Sequence, residues 1–140
     1  MTIQPQIIIE LGVFLLALVT VESGGYFLTK VVRSHVPSNA LQQSFYRAGH
    51  AHAAVLLVLS FAIVSALGVA NLQGVWSFIG YNFVPAAAIL MPAGFFLSVI
   101  GDDPQKPNRF IVLLWIGVAV LTIGLLTAGV GLLVAGIAAL

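Results

Sequence analysis

The chain has 140 residues, of which 61% are hydrophobic and only 6% charged, and its mean hydropathy is +1.14. So few charges cannot cover the surface of a soluble domain of this size, and the composition describes an integral membrane protein with room for one compact domain. A formal net charge of +1 offers no footprint for nucleic acid, and the lack of cysteine excludes disulfides, thiolate metal sites and cysteine nucleophiles.

Four apolar segments run from about residue 7 to 32, 45 to 70, 77 to 100 and 110 to 140. Each is long enough to cross a hydrocarbon core of about 30 Å at about 1.5 Å per residue. Backbone groups in lipid must be satisfied within their own segment, so the segments are expected to be helices and the fold an all-α, four-helix membrane bundle.

The first segment is too long for a secretory signal, lacks a basic leading region and runs on into Lys30 and Arg33, so it is read as a span. It carries Glu22, about ten residues before the basic end and so roughly 15 Å inside it. A carboxylate at that depth is costly unless paired or hydrated, and is by default a functional-site hypothesis. At about 100° per residue, Glu22, Tyr26, Thr29 and Arg33 form one stripe from the basic edge to the carboxylate. Gly24 and Gly25 beside it admit a close neighbour. The linker RSHVPSNALQQS follows, broken by Pro37 and Ser38-Asn39, with His35 read as solvated.

The second segment opens with FYRAGHAHAA. Two histidines at i and i+2 diverge by about 200° on a helix, so His50 and His52 cannot chelate one metal as an i, i+4 pair can. His50 shares a polar face with Gln43, Tyr46 and Arg47. His52 shares an apolar, small-residue face with Phe45, Ala48, Gly49 and Leu56. The polar face is assigned to Glu22, giving a buried Glu22–His50–Arg47 cluster, with His52 left to bond another helix. Depth alone slightly favours His52 for Glu22, so the two roles can exchange. Without a functional partner, Arg47 reads as an interfacial anchor and the histidines as interhelical hydrogen bonders.

The linker ANLQGVWSFIGYN carries no charge, and Trp76 and Tyr81 suit an interfacial aromatic belt. The third segment contains Pro85 and Pro92, each expected to bend the helix and free carbonyls; the bend at Pro92 marks this segment as the partner of His52. GDDPQKPNR follows, with Asp102, Asp103, Lys106 and Arg109 read as a solvated loop and two prolines that forbid a continuous helix. The fourth segment reads GLLTAGVGLLVAGIAAL. Gly124, Ala128, Gly129, Gly131 and Gly136 allow close helix approach, either inside the bundle or as a homo-oligomer seam.

Lys30, Arg33, Arg47, Lys106 and Arg109 all fall at the first and third linkers. The positive-inside rule therefore predicts cytoplasmic 1–2 and 3–4 linkers and external termini, in the cell (inner) membrane.

The segment RAGHAHA, with VESGGYF before it and GFFLS in the third span, resembles small four-span bacterial membrane proteins that bring no established activity with them. Glu22 with Lys30 eight residues later is similar to small multidrug-resistance transporters, which implies exchange of protons for cationic drugs. GHAH resembles helices of small haem-copper-oxidase-like membrane proteins, which implies haem or metal ligation by His50 or His52. Three function classes follow. The first is proton-linked transport or binding of a small ligand or ion at Glu22, Tyr26, Arg47, His50 and His52. The second is an accessory subunit docked in a larger membrane complex. The third is a haem- or metal-binding redox module. No cofactor is required by the first two. No nucleophile–base pair, phosphate loop or carboxylate pair is present, so an enzymatic role is disfavoured.

Overall fold

The described residues form four α-helices: α1 (Pro5–Val32), α2 (Ala40–Leu67), α3 (Gly74–Leu97) and α4 (Ile111–Ala138). The computed structural model describes residues 4–68, 70 and 72–140, and no strand occurs among them. Val69 and Asn71, at the expected junction of the second span and its linker, lie outside the described residues.

The helix ends have local causes. Pro5 occupies the first turn of α1, where its missing N–H costs nothing. α1 ends in a Schellman turn: Ser34 takes a left-handed φ of 58°, its N–H donates to the Val31 carbonyl, and the His35 N–H donates to that of Lys30. α2 starts at Ala40 rather than near Phe45, because Asn39 and Gln42 close a capping box. The Gln42 N–H donates to Asn39 Oδ1 at 2.9 Å and the Asn39 N–H to Gln42 Oε1 at 3.1 Å. Leu41 to Ser44, expected in the linker, are therefore the first turn of the helix. α3 continues through both Pro85 and Pro92.

Packing follows chain order, with α1 on α2, α2 on α3, the most extensive interface between α3 and α4, and a small contact of α4 with α2. Glycines set the closeness of α3 to α4. A Cβ at Gly117 would lie 2.5 Å from Met91 Cγ, and one at Gly124 would lie 3.0 Å from Val84 Cγ2. One core cluster joins Leu56 of α2 to Ala88 and Met91 of α3; another joins Ile7 and Phe14 of α1 to Val64 of α2, with Tyr81 packed against it. Gly131 of the small-residue series packs on Leu72, whereas Gly129 and Gly136 meet nothing within 4 Å.

The two basic linkers lie at one end and are tied together. Asn39 Nδ2 donates to Asp103 Oδ1 at 2.8 Å and to the Pro104 carbonyl at 2.7 Å. Gln42 Nε2 donates to the carbonyls of Val99 at 3.1 Å and Gly101 at 3.0 Å. Asn108 adds its N–H to the Ser98 carbonyl and its side-chain amide to that of Leu97. These donors occupy carbonyls that the end of α3 would otherwise leave open. Asp102 and Asp103 are exposed, but the Asp103 carboxylate is part of this tie.

All four helices are long and apolar enough to cross a membrane. Their outward faces carry large apolar side chains such as Leu16, Ile89 and Leu133, a surface that water would not tolerate and lipid chains would cover. The chain is a small polytopic membrane protein.

Candidate functional site

α1 turns one face to α2. Phe14 and Val31 are buried, and between them Gly24 and Gly25 present bare backbone. The His50 imidazole lies over these glycines: a Cβ at Gly24 would be 3.2 Å from its Nδ1, and one at Gly25 3.6 Å from its Nε2. Any larger residue at position 24 would press on the ring, so the glycine pair makes the seat for His50.

Glu22 does not share that seat. It projects roughly a third of a turn away from the line between Gly24 and Gly25, and its side chain is exposed. Among the described residues it has no hydrogen-bond or ion-pair partner. Arg47 is also exposed and donates from Nη2 to Gln43 Oε1 of its own helix at 3.4 Å. The buried Glu22–His50–Arg47 cluster is therefore not formed. The cause is the glycine pair itself, which brings α2 against the backbone of α1 and leaves the Glu22 stripe facing outward.

Tyr26 continues that stripe and is 66% exposed. Lys30 Nζ stands 4.6 Å from the centroid of its ring, a cation–π contact at the basic edge. Thr29 is also exposed, with its hydroxyl returned to the Tyr26 carbonyl.

His52 turns toward α3. Its ring lies 4.9 Å from that of Phe95, and its Nδ1 is 2.7 Å from the Ala48 carbonyl. A carbonyl only accepts, so Nδ1 carries the proton, and in the neutral ring Nε2 is the remaining acceptor. Phe45 also meets Phe95, at 5.7 Å. Gly49 lets Phe96 approach so closely that a Cβ there would be 2.8 Å from Phe96 Cε2. Tyr46 completes the contact across three helices, with Phe27 of α1 at 5.5 Å and Phe96 of α3 at 6.0 Å. His50 and His52 thus face different helices and do not converge. Among the described residues no group of three His, Cys, Asp or Glu side chains is placed to hold a metal.

A second polar region lies at the opposite end of the bundle. Gln4, Gln6 and Glu10 of the α1 end, with Ser77 and Tyr81 of α3, line a cavity of about 210 Å³ floored by Ile7 and Leu72. Glu10 belongs to no motif in the sequence and lies past the first turn of α1. One signal was available: Gln6 and Glu10 are i, i+4 polar partners at the mouth of an otherwise apolar span. A larger cavity of about 650 Å³ between the start of α3 and the end of α4 is mainly apolar and has no titratable lining residue.

No family model matches the chain, and neither a curated protein nor a solved structure is significantly similar to it.

Proposed function

We propose that the protein binds and releases a proton or a small cation at Glu22, in a transport or ion-binding role within the cell membrane. The observation that carries this reading is the exposed, unpartnered Glu22 carboxylate inside a membrane-spanning helix. It stands eight residues from Lys30 and twelve from Glu10, which is about 12 Å and about 18 Å along the helix. An ionised group at that depth is costly unless a proton, a cation or a facing residue compensates it. The Tyr26–Thr29–Arg33 stripe gives Glu22 a polar line to the basic end, which the positive-inside rule places in the cytoplasm with both termini outside. The likeness to small multidrug-resistance transporters supports exchange of protons for organic cations. His50 and His52 act in this reading by holding α2 in place against α1 and α3.

The test is flux. In liposomes with a trapped pH indicator, the wild-type chain is expected to move protons against an imposed gradient of tetraphenylphosphonium. The Glu22→Gln variant should fall to the rate of empty liposomes. Equal rates for wild type and variant would overturn the proposal.

A second reading is favoured by a different observation: the backbone of α1 comes close to α2 alone and meets α3 only near its start, where Tyr81 packs on Ile7 and Phe14, so the Glu22–Tyr26 stripe is open to a partner helix. In an accessory subunit, Glu22 and Tyr26 would meet a larger membrane protein. Retention of that partner through mild detergent extraction, and its loss in Glu22→Leu, would select this reading over transport.

A further inference from the structure

The pocket around Glu10 has a chemistry of its own, independent of Glu22. All five lysines and arginines are at the other end of the bundle, and Glu10 is the one acidic residue at this end. Among the described residues the Glu10 carboxylate and the hydroxyls of Ser77 and Tyr81 have no hydrogen-bond partner, although all three face the same cavity. Glu10 and Tyr81 are near enough to interact electrostatically. The cavity thus combines one negative charge, a phenol ring, two side-chain amides and a hydroxyl with walls from Ile7 and Leu72.

That set selects among cations. A calcium-type ion takes six to eight oxygens, commonly from several carboxylates, and only one carboxylate is present. A bare alkali ion needs a fixed ring of oxygens in place of its hydration shell, whereas Gln4 and Gln6 are exposed side chains at the rim. An alkylammonium ion needs less: one counter-charge, an aromatic face and apolar contact for its carbon atoms. The volume of about 210 Å³ is below the range of about 300–1,000 Å³ for drug-sized ligands, so the ion is small. We infer that the Glu10 pocket binds a small organic ammonium ion at the end of the bundle opposite the basic linkers. Glu10 supplies the charge, Tyr81 the aromatic wall, and Ile7 with Leu72 the apolar floor.

The experiment titrates tetramethylammonium chloride into the full chain in lipid nanodiscs at constant ionic strength. Ring resonances of the labelled tyrosines are followed; the chain has three. A saturable shift of the Tyr81 signal is expected, weakened about tenfold or more in Glu10→Gln, because a charge-assisted contact is worth about 1.5–3 kcal/mol. Tyr81→Leu, read by calorimetry, should weaken binding to a similar degree. It decides the matter if Glu10→Gln loses its helical circular dichroism. No saturable shift, full-strength binding in a folded Glu10→Gln or Tyr81→Leu protein, or equal occupancy by potassium would each overturn the assignment.

Discussion

Replacing Gly94 by leucine is expected to push α3 off α4 and to destabilise the bundle by about 3 kcal/mol, the upper end of ordinary overpacking effects. Gly94 is buried, and a Cβ added there would collide with the backbone N of Leu114 and come within 2.8 Å of its Cα. Those are main-chain atoms of α4, so no rotamer change relieves the clash. The helices must separate, and separation also loosens the approach of Gly117 to Met91 and of Gly124 to Val84. In a bilayer, where lipid is as apolar as a leucine side chain, such close contact is a main source of helix association. Gly129 supplies the comparison: nothing lies within 4 Å of its added Cβ, so Gly129→Leu should leave stability nearly unchanged. Denaturant unfolding of both variants in mixed micelles measures the difference.

The second large effect is expected at Gln42. This residue is 6% exposed, and its amide joins the start of α2 to the end of α3 through the carbonyls of Val99 and Gly101, while its oxygen closes the capping box. Gln42→Ala removes all three bonds and leaves the carbonyl of the fully buried Val99 without that donor. A buried polar group left unsatisfied costs about 1–3 kcal/mol, and losing the cap contact adds to it. Amide hydrogen exchange should rise across residues 99–106 in Gln42→Ala. Gln43→Ala, which removes a half-buried bond to Ser38 and a long, exposed one from Arg47, both within the start of α2 and its approach, should change exchange little beyond its own turn.

Both sites show where sequence reasoning reaches its limit. The four helices follow from length and hydropathy, because lipid leaves the backbone no alternative. The divergence of His50 and His52 follows from helical geometry alone, and the structure puts one ring over Gly24 and Gly25 and the other beside Phe95. What the sequence could not supply is the rotation of α1 about its own axis. Glycines and a carboxylate lie within three residues of each other, and either the bare backbone or the polar stripe could have faced α2. Packing decides for the backbone: two glycines without side chains let the His50 imidazole come into contact with α1, as close as 3.2 Å from where a Cβ at Gly24 would stand, and close helix approach is a main source of association in lipid. The Gln42 tie was hidden for another reason. It joins residues far apart in sequence, and the start of α2 reads as linker until Asn39 is recognised as a cap. The Glu10 cavity likewise needs α1 and α3 brought together, which no spacing within either helix reveals.

The environment of Glu22 is decided most directly by carbodiimide chemistry on the protein in its native membrane, followed by peptide mass spectrometry. A partnerless carboxyl facing the bilayer interior should react with the hydrophobic reagent dicyclohexylcarbodiimide, with the adduct on Glu22 and absent from Glu22→Gln. A water-soluble carbodiimide with an added amine should modify the exposed Asp102 and leave Glu22 untouched. Modification of Glu22 by the water-soluble reagent, with none by the hydrophobic one, would place the carboxylate in water and contradict its role inside the membrane.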